Sequence, residues 1–182
     1  MMRRASYLVL VAMLLAPPIV MGGNHSNVIL SGGQMKFQGK IIAEACSVET
    51  DSQDFTVEMG QVRSNQFHDV GMDVNPTPFD IHLRDCNTFV SQTVSIQFHG
   101  VADSKNPQVL SVGEGSGVAG DIGVALFDAT NSLIAVNSSP RVVAVLQPGP
   151  VTLHFTAKYR AVGPDVTGGK ANAQGWFALT YL

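Results

Sequence analysis

The residues best able to do chemistry are two cysteines and five histidines. Cys46 and Cys86 lack a CxxC spacing, and neither has another cysteine nearby, so a catalytic thiol or a thiolate metal site is disfavoured. The histidines show no HxH or HExxH spacing, so a metal site would require distant strands to converge. These histidines are His25, His68, His82, His99 and His154. The pattern predicts no metal centre.

Two motifs could suggest enzymes, but neither has the required context. Residues 115–120 spell GxGxxG, which binds a dinucleotide only where a strand precedes it and a helix follows. A strand-like run, IGVALFD, follows instead, so we interpret the motif as a glycine loop. Serine, histidine and aspartate are present without GxSxG or a paired nucleophile and base. We therefore predict no enzyme and no cofactor.

A polar stripe lies on one predicted strand, residues 79–86. Asp80, His82 and Arg84 alternate with apolar neighbours, so they share one face of the strand. A binding stripe is one interpretation. We favour the other, the solvent face of an ordinary antiparallel strand.

The N-terminus predicts export. Arg3 and Arg4 precede an apolar run over residues 7–16, and prolines and small residues follow, which is typical of a signal peptide cut after Gly22. The run of 7–21 has only 15 residues, with two prolines, against the roughly 20 that a membrane-spanning helix needs. The mature chain should leave the cytoplasm as a soluble protein. The full sequence has a net charge of −3 and no Lys/Arg cluster after its first four residues, which disfavours nucleic acid as a partner.

Export changes the interpretation of the cysteines. In an oxidising compartment, an even pair predicts a disulfide between Cys46 and Cys86. Closing a loop of this length would stabilise the fold by about 4 kcal/mol in the chain-entropy model, against a typical total of about 5–15 kcal/mol.

The mature chain reads as one all-β domain. Short runs that often alternate with period two are bounded by Gly, Pro, Asn, Asp or Ser, and none has a convincing helical period with a cap. The predicted strands are KFQGKIIAEAC, DFTVEMG, PFDIHLRDC, TVSIQFHG, DIGVALFD, SLIAVN, VTLHFTAKYRAV and ANAQGWFALTYL. One β-sandwich with short helices or none fits this pattern.

The two ends of the mature chain behave differently. Residues 24–39 are polar and glycine-rich but still alternate, which indicates either a strand that packs poorly on its own or a frayed tail. The last strand has bulky apolar residues on both faces, so we expect it to be buried on both sides. At an open sheet edge, it would act as a template for another strand.

The order of these features resembles the type 1 fimbrial pilins of the chaperone–usher pathway. The resemblance rests on the signal peptide, an alternating extension ending in MKFQG, Cys46 shortly after it and Cys86 after PFDIHLRD. It rests further on IGVALFD, on penultimate Tyr181 and on Gly169, fourteenth from the end. It covers essentially the whole mature chain.

The resemblance implies an incomplete immunoglobulin-like β-sandwich that a donated strand completes. The segments would be a signal peptide (1–22), an N-terminal donor strand (23–38) and a pilin domain (39–182). The donor side chains would be Ile29, Gly33, Met35 and Phe37. The motif that a chaperone and a donor recognise would comprise Gly169, Phe177, Leu179, Tyr181 and Leu182.

The resemblance also implies partners and a location. A periplasmic chaperone would hold the Leu182 carboxylate in a basic cleft, an outer-membrane usher would export the subunit, and other pilins would join it in a surface fimbria. The chain would be a minor pilin that takes part in pilus assembly and so in cell adhesion. Whether it extends or terminates the fibre stays open. The alternatives are a self-contained periplasmic or surface immunoglobulin-like binding module and a secreted hydrolase.

Overall fold

The structure, a computed structural model, describes residues 36, 38 and 45–182. This part contains nine strands and two short 3₁₀ turns, at Thr50–Ser52 and Ser64–Gln66. The strands are β1 (Ser47–Val48), β2 (Asp73–Cys86), β3 (Thr93–Gly100), β4 (Leu110–Ser111), β5 (Ile122–Asp128), β6 (Leu133–Ile134), β7 (Arg141–Val145), β8 (Gly149–Ala161) and β9 (Gly175–Tyr181). The all-β prediction is confirmed.

The strands form two antiparallel sheets. The larger sheet has the order β1-β2-β8-β5-β4, with β6 pairing β5, and the smaller has the order β7-β3-β9. The long pair β2 and β8 spans the larger sheet, and register shifts interrupt it on β2 after Val74 and after Leu83. Asn75 and Asp85 adopt a positive φ at these shifts, which asparagine and aspartate tolerate better than most residues.

The main core lies between the two sheets. Alternation along β2 buries Ile81 and Leu83 completely, and Val94 and Ile96 of β3 meet them from the other sheet. On β2, Asp80 and Arg84 point outward and are exposed, as expected for a solvent face. One core shared by two sheet faces is the defining property of a β-sandwich.

β5 is buried on both faces. Its inner side chains join the main core, and Ala125 and Phe127 form a smaller cluster with Val109 on the outer side of the sheet. The Lys158 ammonium lies 4.0 Å above the Phe127 ring and covers it. This explains why IGVALFD is apolar without interruption.

The disulfide prediction is confirmed. Cys46 and Cys86 are bonded, with their Cα atoms 4.1 Å apart. The bond joins the chain just before β1 to the last residue of β2. Both cysteines are buried in the main core.

Several predicted strands differ from the observed ones. DFTVEMG (54–60) forms no strand, because no neighbouring strand hydrogen-bonds to it. SLIAVN is reduced to β6, and the last strand begins at Gly175 rather than at Ala171. β7 was not predicted at all, and β2 begins five residues earlier than the PFDIHLRDC run. Within the described residues, no helix has the length and hydropathy to cross a membrane.

Candidate functional site: an open groove beside the last strand

An open groove of about 1470 Å³ lies beside β9. Its walls are two segments, 53–60 on one side and 171–177 on the other. Both walls alternate: Val57 and Met59 are half-buried between exposed neighbours, and so are Ala171 and Ala173. Neither 53–60 nor 171–174 belongs to a strand, so the backbone of each is without a ladder partner beside the groove.

The floor of the groove is apolar and comes from both sheets. Phe79 of β2 stacks on Phe155 with ring centroids 5.5 Å apart, and Phe98 of β3 meets the same ring edge-on at 5.4 Å. Phe55, on the wall, approaches Phe79 at 5.9 Å. Leu110, Val124, Leu126, Ala157, Tyr159 and Phe177 complete this floor. Burial raises the pKa of Tyr159, so its hydroxyl stays protonated at neutral pH.

Two opposed glycines allow the floor to pack at one end of the groove. Gly100 of β3 pairs directly with Gly175 of β9, and Leu110 lies against both. A Cβ at Gly100 would collide with the Leu110 side chain and approach Gln174 O to 2.8 Å. Only glycine leaves room there for the leucine that lines the groove.

The wall at 53–60 is fixed by β2. The Asn75 side-chain amide, at the first register shift, donates a hydrogen bond to Met59 O. The register shift at Asn75 therefore directs the Asn75 side chain toward the groove wall.

β9 forms the other margin of the groove and pairs with β3 alone among the described strands. Phe177, Leu179 and Tyr181 turn toward the core and are half-buried. Trp176, on the opposite face, is 65% exposed. The prediction that this strand is buried on both sides is therefore wrong: no element among residues 45–182 covers its outer face at Trp176.

Tyr181 and Leu182 anchor the end of β9. The Tyr181 hydroxyl donates to Cys46 O at 3.2 Å, which ties the strand to the disulfide region. One oxygen of the Leu182 carboxylate accepts from the Ser91 hydroxyl and, at 3.2 Å, from the Thr93 hydroxyl. The Thr93 backbone N–H also reaches it, at 3.3 Å. This internal anchor for the carboxylate was not predicted from the sequence.

Gly169 lies outside the strand with which the sequence grouped it. It precedes β9 by six residues and packs against the loop after Gly115, where a Cβ would collide with the backbone of Val118 and Ala119. Phe177 lines the groove, whereas Gly169 does not. The predicted donor residues Ile29, Gly33, Met35 and Phe37 lie outside the described residues.

The other sequence candidates form contacts in pairs and do not assemble into one site among residues 45–182. His154 Nδ1 lies 2.8 Å from Asp80 Oδ1, His82 Nδ1 lies 3.2 Å from the Thr152 hydroxyl, and His99 stacks on Trp176. Among residues 45–182, no three His, Cys, Asp or Glu side chains gather as a metal site would need. Residues 115–120 form a loop that leads into β5, and no helix follows it.

Solved structures show which class of protein has this architecture. A type I fimbria protein from Burkholderia pseudomallei superposes with a TM-score of 0.59 at 34% identity, over 75% of this chain and 88% of that one. The P pilus rod subunit PapA superposes with a TM-score of 0.63 at 26% identity, over 76% of this chain and 100% of that one. The fold is that of a pilin subunit, an incomplete immunoglobulin-like β-sandwich.

Sequence relatives identify the family. Residues 35–182 match the Fimbrial protein family. The fimbrin-like protein FimI of Salmonella typhi is 37% identical over 174 residues, which cover 94% of this chain and 96% of the relative. Long polar fimbria protein A of Salmonella typhimurium is 36% identical over 149 residues, covering 82% and 83%. The chain belongs to the fimbrial protein family, whose members are structural subunits.

Proposed function

We propose that the mature chain is a minor structural pilin whose groove takes up a strand from another protein. A periplasmic chaperone supplies the strand first, and the N-terminal extension of a neighbouring pilin replaces it during assembly at an outer-membrane usher. The product is a fimbria on the cell surface, where the subunit contributes to adhesion.

The groove carries this proposal. Its two walls, 53–60 and 171–177, have no sheet neighbour on the groove side among the described strands, and its floor is an aromatic cluster. An inserted β-strand would hydrogen-bond to the walls and bury alternate apolar side chains on the floor, which is how β-augmentation gives affinity and specificity. A small-molecule site would be more enclosed and would bring polar groups together.

The matching donor is residues 23–38 of a neighbouring copy or of a related pilin. Ile29, Met35 and Phe37 alternate in one register and would fill the floor, with Gly33 where the backbones approach closely. Ser31 is polar in the same register and would fill its position less well. If its own extension is a weak donor, the subunit ends the fibre instead of extending it.

No catalytic role is part of the proposal. Membership of a family of structural subunits favours a purely structural subunit. The region before residue 39 is proposed to divide into a signal peptide (1–22) and the donor extension (23–38).

The test is export of the mature chain with and without a type 1 fimbrial chaperone, followed by pull-down and gel filtration. We expect a one-to-one complex and little free subunit. A synthetic peptide of residues 23–38 should then release the chaperone. Trp176 is the single tryptophan and lines the groove, so its emission should shift when the strand in the groove changes.

Phe177→Ser and Ala178→Ser are a matched pair on neighbouring residues of β9. Phe177 lines the groove and Ala178 is exposed on the other face, so only the first variant should lose the complex. Recovery of wild type as a stable monomer without a chaperone would overturn the proposal and favour a self-contained binding module.

A further inference from the structure

The turn that leads into β3 holds the C-terminal carboxylate with neutral donors. One oxygen of the Leu182 carboxylate accepts from the hydroxyls of Ser91 and Thr93 and from the Thr93 backbone N–H. The ion pairs among the described residues all involve other carboxylates. Hydrogen bonds from a charged donor are about twice as strong as those from a neutral one. A lysine or arginine of a partner could therefore compete for this carboxylate.

The Ser91 hydroxyl and the Thr93 N–H each have a second acceptor within the turn itself. The Ser91 hydroxyl oxygen lies 2.9 Å from Thr93 O, and the Thr93 nitrogen lies 3.3 Å from the Ser91 hydroxyl oxygen. A hydroxyl has one proton, so Ser91 donates either to Thr93 O or to the carboxylate. Ser91 is buried, and a buried hydroxyl without an acceptor costs free energy. The second acceptor lets the carboxylate leave without that cost.

The end of β9 is also held by groups other than the carboxylate. The Leu182 N–H donates to Thr93 O at 3.2 Å, and the Tyr181 hydroxyl donates to Cys46 O at the same distance. Leu182 itself is 69% exposed, so a partner can reach it. The carboxylate can therefore change its partner while β9 stays in place.

We propose that Ser91 and Thr93 form a carboxylate-binding site for the subunit's own C-terminus, and that this site competes with the chaperone for the carboxylate. In the chaperone complex, the carboxylate binds a cation of the chaperone, and the Ser91 hydroxyl turns to Thr93 O. When a donor strand displaces the chaperone, the carboxylate returns to the site. The inference rests on the proposed function, because it concerns the step in which one strand replaces another.

The carboxylate-binding site favours release of the chaperone. A carboxylate that left a cation and met no donor would depend on water alone. Here two hydroxyls and a backbone N–H already stand in place, so little further ordering is needed to bind it. These bonds form only in the subunit that has lost its chaperone. They therefore stabilise that state selectively and shift the exchange toward it.

Thr93→Val and Thr93→Ser separate the hydroxyl of Thr93 from the shape of its side chain. Thr93→Val keeps the branched shape and removes the hydroxyl, whereas Thr93→Ser keeps the hydroxyl. The chaperone complex of each variant is titrated with the peptide of residues 23–38, and release is followed by gel filtration. The peptide concentration that releases half of the chaperone should rise at least about threefold for Thr93→Val and stay as in wild type for Thr93→Ser.

A second measurement distinguishes this site from a turn that is merely weakened. Thr93→Val should lower the melting temperature of the peptide-completed subunit and leave that of the chaperone complex unchanged, because the carboxylate is away from Thr93 in the complex. Equal release of Thr93→Val and wild type, or an equal loss of stability in both states, overturns the inference. Failure of the peptide to release the chaperone from wild type overturns the proposed function and, with it, this inference.

Discussion

At the scale of single residues, a serine within β3 and a serine just before it are in opposite situations. Ser91 and Ser95 are both buried. The Ser91 hydroxyl contacts Thr93 O at 2.9 Å and the Leu182 carboxylate, whereas Ser95 Oγ has no hydrogen-bond partner among the described residues. A buried hydroxyl without a partner loses its hydration and gains nothing in return.

We expect Ser95→Ala to raise the free energy of unfolding by about 1 kcal/mol, because it removes the unsatisfied group. Ser91→Ala should lower it by about 1–2 kcal/mol, since a hydrogen bond to a carboxylate is lost. Urea unfolding of the peptide-completed subunit measures both values. A loss of stability in Ser95→Ala would mean that its hydroxyl is satisfied.

Two neighbouring glycines provide a second residue-scale prediction. An added Cβ at Gly169 would collide with the backbone of Val118 and Ala119, whereas a Cβ at Gly168 meets nothing within 4 Å. We expect Gly169→Ala to destabilise the subunit by about 1–3 kcal/mol and Gly168→Ala to change the stability by less than about 0.5 kcal/mol. Thermal unfolding of the chaperone-released subunit compares them, and equal melting temperatures would contradict the packing of this loop.

At the scale of elements, the β5–β6 hairpin is closed by one carboxylate. Asp128 Oδ1 accepts from the backbone N–H groups of Thr130 and Ser132, both at 2.9 Å, and Oδ2 lies 3.1 Å from Arg141. Burial disfavours the charged form, but the hydrogen bonds and Arg141 outweigh it and hold the pKa of Asp128 below its ordinary value.

This lowered pKa has a defined pH consequence. The unfolded chain takes up the proton at a higher pH than the folded one, so the stabilisation is complete well above pH 3.8 and is lost as the pH falls through the folded pKa. Asp128→Asn should be less stable than wild type by about 1 kcal/mol at pH 7. The difference should shrink below about pH 4 in acid-unfolding curves. A difference that stays constant from pH 7 to pH 2 would contradict this account.

The elements also show where sequence reasoning succeeds. Period-two runs such as TVSIQFHG gave the inner face of β3 correctly, because burial against the facing sheet dictates the alternation. Residues 54–60 alternate in the same way yet form no strand. Alternation reports a buried face, whereas a strand also needs a hydrogen-bonded neighbour, which the sequence of the segment does not specify.

The same limit applies to the groove. Phe177, Leu179 and Tyr181 could be assigned to one face of the last strand from their spacing. Three other features could not be assigned from the sequence: the position of Leu110, the Gly100–Gly175 pair, and the contact of Ser91 and Thr93 with Leu182. In each, the residues that meet are far apart in sequence, and the strand order brings them together. Gly169 was grouped with the strand by resemblance. Its close contacts with the loop at Val118 give a different physical reason for a glycine at this position.

At the scale of the whole molecule, the two sheets are unequal. The larger holds the long β2–β8 pair and the bidentate contact of Arg160 with Asp73, in which both bonds are 2.6 Å long. The smaller has three strands and borders the groove. The larger sheet thus serves mainly as the scaffold, and the smaller contributes β9, the margin of the proposed acceptor groove.

The position of β9 at the end of the chain also affects the timing of folding. Tyr181 pairs with Val94, and Gly175 pairs with Gly100. β3 therefore cannot pair with β9 until residues about 80 positions further along the chain are available. A subunit that emerges from a membrane N-terminus first would therefore expose one edge of β3 until the last residues arrive. Pairings between such distant residues also form slowly. A partner that protected this edge of β3 would have to bind before β9 has paired with it.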